Sequence, residues 1–214
     1  MLLETCLYKV DQRRGNNPQL WIAGCSIAHG YLTNFDRIYL DERYGQLVAN
    51  YLSLPVSFLT MVSSSIPWAA DQILRADITA GDTIIWGLTS VNRFMTYYNN
   101  AVCNVSIGSI KLNPNLKKIQ ESLEKQIIHE DNFMNAIKSI SQVQNFCNKI
   151  NARLILIAHL NISTVEFSKE LEKYLLRLPN YVAITDSIDT AEDGIHPGIE
   201  SHKLWSNTII TALT

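Results

Sequence analysis

Short apolar runs alternate with amphipathic stretches along the whole chain of 214 residues. The runs fall at residues 20–23, 56–62, 83–88, 153–158 and 181–185. Between them, apolar residues recur at helical spacing, as Tyr44, Val48 and Leu52 do in the first such stretch. Buried strands that alternate with helices predict a parallel sheet with right-handed crossovers. We therefore expect an α/β fold, a three-layer α/β/α sandwich with a five-stranded parallel sheet.

The composition is that of a globular domain with a large core. Hydrophobic residues make up 47% of the chain and charged residues 18%, and the formal net charge is -2. This balance excludes a disordered chain and predicts one domain over residues 1–214. Lysine and arginine form no long cluster, so we expect no nucleic-acid partner.

The four cysteines are widely spaced, at Cys6, Cys25, Cys103 and Cys147. They form no CxxC pair, so the sequence predicts neither a zinc site nor a disulfide framework, and we expect no cofactor. The first residues lack the basic and apolar regions of a signal peptide, and no apolar run is long enough to span a bilayer. We expect a soluble protein that is cytoplasmic or released by cell lysis.

A glycine and a serine follow the first apolar run. The run breaks at Gly24, and the residues Cys25 and Ser26 come next, with Gly30 closing the stretch. Ligands bind at the carboxyl ends of parallel strands, so a serine there can face a crevice. The alternative is a tight turn in which Ser26 caps the following helix.

The loop after the fifth apolar run contains Asp193-Gly-Ile-His196-Pro197. An aspartate three residues before a histidine can share its turn, where the carboxylate fixes the imidazole tautomer. The other ring nitrogen then faces a nucleophile. Both this loop and the Ser26 turn open at the same edge of a parallel sheet, so we expect the two to meet. A surface histidine beside a loop aspartate is the alternative.

These motifs resemble those of a known family. Gly24-Cys25-Ser26 followed by Gly30 resembles the first sequence block of the SGNH (GDSL-type) esterases and lipases. Asp193-Gly-Ile-His196-Pro197 resembles the last block, in which a Gly-His pair follows, where this chain has Ser201-His202. The resemblance extends from about residue 20 to 213 and implies a single flavodoxin-like SGNH-hydrolase domain.

The resemblance implies a catalytic triad. It makes Ser26 the nucleophile, His196 the general base and acid, and Asp193 the residue that orients the histidine. The implied reaction is hydrolysis of an ester through an acyl-enzyme. The backbone N–H of Ser26 is the first expected donor to the oxyanion.

The sequence departs from the family pattern at the other oxyanion donors. Cys25 replaces an aspartate that is not a triad member. The second block has no glycine, so a backbone N–H of Ser64 or Ser65 would have to serve. Thr89 stands where the third block has an asparagine, and Asn92 could rebuild the site.

Two further residues are candidates for substrate binding, His29 close to the serine and Arg93 beyond the third apolar run. Arg93 belongs to an irregular, lid-like segment at about 91–114 that is rich in tyrosine and asparagine. A long loop inside a compact domain is typically functional, although a surface excursion fits equally well. The histidines show no metal-ligand spacing, and we expect no metal site.

The sequence thus favours a serine esterase that removes a small acyl group such as acetyl, with a carbohydrate or another small molecule as the alcohol. The tyrosines and asparagines of segment 91–114 suit sugar faces and hydroxyl groups. One alternative is a non-catalytic carbohydrate-binding or assembly protein on a degenerate SGNH scaffold. Another is an acyltransferase or lipase with the same triad. A flavodoxin-like signalling module fits the strand pattern but would need acidic residues after the first strand.

Overall fold

The computed structural model describes residues 15, 17–29, 40–61, 64–91, 93–98, 101–106, 129–158, 166–184, 187–191 and 196–214. Its strands are β1 Leu20–Gly24, β2 Val56–Thr60, β3 Thr83–Leu88, β4 Arg93–Tyr98, β5 Ala101–Ser106, β6 Arg153–Ala158 and β7 Tyr181–Val182. Its α-helices are α1 Ser26–His29, α2 Tyr44–Leu52, α3 Ile66–Arg75, α4 His129–Ile150, α5 Glu166–Leu175 and α6 Ile199–Leu213. A 3-10 turn spans Leu40–Glu42.

Five of the strands form one sheet in the order β2-β1-β3-β6-β7, and every neighbouring pair is parallel. The prediction of a five-stranded parallel sheet is therefore confirmed. The chain runs from β1 outward to β2 and then returns to the other side of β1 to form β3. A reversal of strand order of this kind leaves a crevice between the carboxyl ends of β1 and β3, where doubly wound proteins bind ligands.

Both faces of the sheet are covered because successive side chains of a strand point to opposite faces. Trp21 and Trp86 are fully buried on the face that packs against α3, α4 and α5. Ile22 and Ile85 are fully buried on the other face, against α2 and α6. Strands buried on both sides need near-continuous apolar sequence, which is why the five runs could be recognised.

A buried carboxylate joins the segments at the amino end of the sheet. Asp82 Oδ1 accepts the backbone N–H of Gln19 at 2.9 Å. Its Oδ2 accepts the indole N–H of Trp21 at 3.1 Å and the backbone N–H of Thr79 at 2.8 Å. Asp82 is fully buried, so these hydrogen bonds replace the water that the charge has lost.

The expectation of an irregular segment at 91–114 was wrong for its first part. Strands β4 and β5 pair antiparallel there, with Arg93 opposite Ser106 and Tyr98 opposite Ala101. In sequence, the pair Asn99-Asn100 separates two runs rich in β-branched and aromatic residues, which is a hairpin signal. Residues 107–114 lie outside the described residues.

A serine cap and a proline mark the start of helix α3 at Ile66. The side chain of Ser65 caps it by accepting the N–H of Trp68 at 3.3 Å. Pro67 lies in the first turn, where its missing N–H costs nothing. Within the described ranges, no helix has the length and apolar character needed to cross a bilayer.

Candidate active site

Ser26 lies directly beyond the carboxyl end of β1. Gly24 ends the strand, Cys25 follows, and Ser26 is the first residue of α1. Ser26 is 4% exposed, so its hydroxyl lies in a nearly closed environment. The backbone N–H of a residue at the start of a helix has no intrahelical acceptor and is available to another group.

The turn between β1 and α1 requires glycine at position 24. Gly24 has a φ of 147°, which side chains rarely allow. A Cβ atom at this position would lie 2.7 Å from the carbonyl oxygen of Gly87 and 3.0 Å from the Cβ of Ala28. The close approach of β1 to β3 at this glycine is therefore what sets the place of Ser26.

His196 meets Ser26 at this edge of the sheet. The Nε2 atom of His196 is 3.0 Å from Oγ of Ser26, within hydrogen-bond distance, although 170 positions separate them in sequence. His196 precedes α6, and its backbone carbonyl accepts the N–H of Ala191 at 2.7 Å. The pair has the arrangement that a histidine base and a hydroxyl nucleophile need.

Two of the predicted site residues, Asp193 and Asn92, lie outside the described residues. The role of Asp193 as the orienting carboxylate therefore remains a prediction from the sequence. The same holds for Asn92 as a replacement oxyanion donor.

Ser64 and Ser65 hold the turn between β2 and α3. The hydroxyl of Ser64 donates to the carbonyl oxygen of Gly24 at 3.0 Å, and its backbone N–H donates to Met61 at 3.2 Å. Of the two alternative oxyanion donors, the N–H of Ser64 is thus used within the fold, and the N–H of Ser65 stays a prediction. Ser65 is fully buried, and its hydroxyl caps α3.

Thr89 follows β3 and is 8% exposed. Gly24 of β1 lies beside Gly87 of β3 at the crevice. Ser26 lies two residues after Gly24, and Thr89 lies two residues after Gly87. Within the part of the chain that the structure describes, the hydroxyl of Thr89 makes no hydrogen bond. A turn follows, in which the N–H of Arg93 donates to Ser90 at 3.2 Å.

Arg93 opens β4 and is half-buried. Its Nη1 atom is buried and has no hydrogen-bond acceptor among the described residues. Arg93 has no hydrogen bond to Ser26 or His196 in that same part of the chain, and its role in substrate binding stays a prediction.

His29 is held to the end of β2. Its Nδ1 atom lies 2.8 Å from Oγ1 of Thr60, the last residue of that strand. Its carbonyl oxygen accepts Nη1 of Arg43 at 3.0 Å, and the Arg43 guanidinium lies 3.7 Å from the ring centroid of Phe58. These contacts anchor the last residue of α1, the short helix whose first residue is Ser26.

Cys25 belongs to the core. It is 1% exposed and packs in the apolar cluster on the α2 and α6 face of the sheet. Its thiol is free of any disulfide bond. Ser26, its neighbour, contacts His196 instead, which fits the expectation that the serine and not the cysteine is the nucleophile.

His202, the second histidine of the last motif, contacts the start of α2. The backbone N–H of Tyr44 donates to Nδ1 of His202 at 3.3 Å, and the two rings stack with their centroids 5.7 Å apart. Trp205 packs edge-on against the His202 ring. Burial lowers the pKa of His202 to about 4, so the imidazole is neutral at pH 7. In the sequence, the position of His202 one turn into an amphipathic helix is the signal that could have indicated this packing role.

In the described ranges, no three histidine, cysteine, aspartate or glutamate side chains converge in a way that could hold a metal ion.

No protein-family model matches the chain, and no curated protein matches it in sequence. Solved structures do match it in fold. A family two carbohydrate esterase from Clostridium thermocellum, in complex with cellohexaose, superposes with a TM-score of 0.58 at 9% identity. The match covers 94% of this chain and 66% of the esterase.

Two further structures show how far the likeness extends. The acetyl xylan esterase Est2A from the rumen bacterium Butyrivibrio proteoclasticus matches with a TM-score of 0.54 at 12% identity, over 94% of this chain and 64% of that one. A putative lipolytic protein of the G-D-S-L family from Desulfitobacterium hafniense matches with a TM-score of 0.56 at 10% identity. That match covers 91% of this chain and 99% of the lipolytic protein. The chain therefore shares its α/β fold with these two carbohydrate esterases and with this lipolytic protein of the G-D-S-L family.

Proposed function

We propose that the chain is a serine esterase in which Ser26 and His196 carry the reaction. The observation that supports this most is the 3.0 Å contact between Nε2 of His196 and Oγ of Ser26 at the carboxyl edge of the sheet. A serine hydroxyl is a weak nucleophile until an adjacent base takes its proton. This contact supplies that base.

The reaction proceeds in two halves. Oγ of Ser26 attacks the ester carbonyl while Nε2 of His196 takes its proton, and the resulting imidazolium then protonates the departing alcohol. The acyl group remains on Ser26. A water molecule, deprotonated by His196, attacks the acyl-enzyme, and collapse of the second tetrahedral intermediate returns the proton to Ser26 and releases the acid.

The oxyanion needs hydrogen-bond donors near Ser26. The backbone N–H of Ser26 lies at the start of α1, where it has no intrahelical acceptor. The hydroxyl of Thr89 is the second donor that we propose, since it follows β3 at the crevice. A hydroxyl can donate one hydrogen bond, as the family's asparagine side chain does.

We assign the third triad position to Asp193 from its place in the Asp-x-x-His motif. A carboxylate on Nδ1 of His196 keeps the proton off Nε2 in the resting enzyme and stabilises the imidazolium that forms. Ala191, which precedes this aspartate by two positions, donates its backbone N–H to the carbonyl oxygen of His196.

For the substrate, we propose a small acyl ester, such as an acetyl group, on a carbohydrate. Two observations support this choice. Carbohydrate esterases, one of them an acetyl xylan esterase, are among the solved structures that share the fold. The segment at 91–114 also brings tyrosine and asparagine, residues that suit sugar faces and hydroxyls, close in sequence to Thr89.

A second function, carbohydrate binding without turnover, is supported by one comparison. A matching structure, with a TM-score of 0.57 at 16% identity, is described as a carbohydrate esterase whose active site displays divergent catalytic and non-catalytic binding functions. The same crevice could then hold a glycan without cleaving it.

The test is hydrolysis of 4-nitrophenyl esters of increasing chain length by wild type, Ser26→Ala and Cys25→Ser. We expect activity on acetate that Ser26→Ala abolishes and Cys25→Ser retains, because Cys25 is buried in the core. Loss of activity in Cys25→Ser alone, with Ser26→Ala active, would overturn the assignment of the nucleophile.

Labelling with a serine-directed phosphonate separates catalysis from binding. Mass spectrometry should find the phosphonate on Ser26 in wild type and on no residue in Ser26→Ala. A wild type that binds a xylan or cellulose oligosaccharide but neither hydrolyses esters nor reacts with the phosphonate would favour the binding function.

A further inference from the structure

The segment that carries His196 is joined to residues 189–191 by backbone pairing. Ala191 N–H donates to His196 C=O at 2.7 Å, and Gly198 N–H donates to Asp189 C=O at 3.2 Å. These bonds flank an antiparallel bridge between Thr190 and Pro197. The main chain from the carbonyl group of His196 to the N–H of Gly198 is thus tied to residues 189–191.

The carboxylate of Asp189 caps the helix that follows. It accepts the N–H of Glu200 at 3.0 Å and the N–H of Ser201 at 2.8 Å, both in the first turn of α6. The residue at the start of the helix is Gly198, which has no side chain to satisfy these groups. A Cβ atom on Gly198 would overlap the carboxylate, so the glycine makes room for Asp189.

Ser201 completes the arrangement. Its hydroxyl donates to Oδ1 of Asp189 and accepts the backbone N–H groups of Ile188 at 3.0 Å and Asp189 at 3.2 Å. Ser201 is fully buried. Burial alone would raise the pKa of Asp189. The hydrogen bonds from Ser201 and Glu200 stabilise its charged form, however, and the pKa therefore lies below its ordinary value.

We propose that Asp189 and Ser201 are positioning residues that hold His196 against Ser26. This inference rests on the proposed function. The hydrogen bonds of Asp189 within the described ranges go to residues 198–201, and none goes to Ser26 or to the imidazole of His196. Asp189 therefore acts on the reaction only through the backbone that carries His196.

The first test compares kcat and KM in Asp189→Ala and Ser201→Ala. We expect kcat on 4-nitrophenyl acetate to fall about 10²-fold in Asp189→Ala, with KM changed far less, because misplacing a catalytic group by about 1 Å costs this much. Ser201→Ala removes only the hydroxyl and keeps the backbone bonds, so we expect a loss of about tenfold. If Asp189→Ala does not fold, Ser201→Ala carries the test.

Arg153→Ala is the matched control for lost helix stability. Arg153 holds the other end of α6, where it donates to the carbonyl oxygens of Leu213 at 2.8 Å and Ala212 at 3.0 Å. We expect this variant to lower Tm without lowering kcat at a temperature where it is folded. If kcat falls equally in Arg153→Ala and Asp189→Ala, then Asp189 acts only by stabilising α6 in general, and the inference is overturned.

A double mutant tests whether Asp189 acts through the histidine. In a His196→Ala background, Asp189→Ala should not lower the residual rate further, because residues that act as one unit are not additive. If the residual rate falls by the same factor as in the wild-type background, the inference is wrong.

NMR titration keeps this inference separate from the proposed function. The imidazole signals of His196, assigned by their loss in His196→Gln, should shift in position and midpoint in Asp189→Ala and Ser201→Ala, but not in Arg153→Ala. Identical titrations in all four proteins would overturn the inference even if the enzyme is active. A wild type without esterase activity or phosphonate labelling would overturn the proposed function even if the titrations differ.

Discussion

The backbone N–H of Tyr44 donates to the imidazole of His202 across 158 positions of sequence, and this bond requires an unprotonated Nδ1. Tyr44 begins α2 and His202 lies in the first turns of α6, so the bond joins the two helices that cover one face of the sheet. Protonation of His202 would bury a charge and remove the acceptor together.

This bond predicts a loss of stability in mild acid. Burial lowers the pKa of His202 from 6.5 to about 4, so between these values the unfolded chain binds a proton that the folded chain does not. The free energy of unfolding should therefore be highest above pH 6.5 and fall by about 3 kcal/mol as the pH drops to 4. Urea denaturation between pH 4.5 and 8 measures this slope.

His202→Asn is the control for that slope, because its side-chain oxygen can still accept the N–H of Tyr44 but does not titrate. The variant should be less stable than wild type at pH 8, through lost ring packing, yet show a flatter dependence between pH 4.5 and 6.5. Equal slopes in the two proteins would assign the acid sensitivity to other groups.

Thr89 should be replaceable by the residue that the family resemblance places there. Thr89→Val keeps the shape but removes the hydroxyl, and we expect kcat to fall roughly 10²-fold, the lower range for losing one oxyanion donor. Thr89→Asn should restore a longer-reaching donor and equal or exceed the wild-type kcat. Steady-state kinetics on 4-nitrophenyl acetate decide this, and an unchanged kcat in Thr89→Val would remove Thr89 from the oxyanion site.

Gly24→Ala should destabilise the protein more than Gly81→Ala does. Both glycines have positive φ, but a Cβ at Gly24 would lie 2.7 Å from Gly87, whereas at Gly81 the nearest atom, in Pro18, is 3.7 Å away. Backbone strain of about 1–3 kcal/mol is common to both, and only Gly24→Ala adds a backbone clash. Chemical denaturation measures both, and equal losses would show that β1 and β3 separate easily at this point.

Asp82→Ala should cost about 3 kcal/mol or more in the free energy of unfolding. The change leaves the buried N–H groups of Gln19 and Trp21 without their acceptor, at roughly 1–3 kcal/mol each, and also removes the acceptor of the partly buried N–H of Thr79. Asp71→Ala, which removes an exposed partner of Arg75, is the control and should change stability by less than about 1 kcal/mol. Similar losses in the two variants would contradict the role assigned to Asp82.

Local patterns in the sequence were enough to predict much of this fold. The apolar runs marked all five strands of the parallel sheet, because strands buried on both faces must be apolar throughout. The break at Gly24 marked the turn that carries Ser26. The expectation of a loop at the β4–β5 hairpin was wrong, because its asparagine-rich sequence has the composition of a loop.

Contacts between distant segments were decided only by the tertiary structure. The sequence predicted that the turns bearing Ser26 and His196 open at one edge, but the 3.0 Å contact depends on strand order and on the chain around α6. Ser64 and Asp189 illustrate the same limit, since their partners lie 40 and 12 positions away. Periodicity reports which face of an element is buried, whereas a hydrogen bond between elements depends on how whole layers pack.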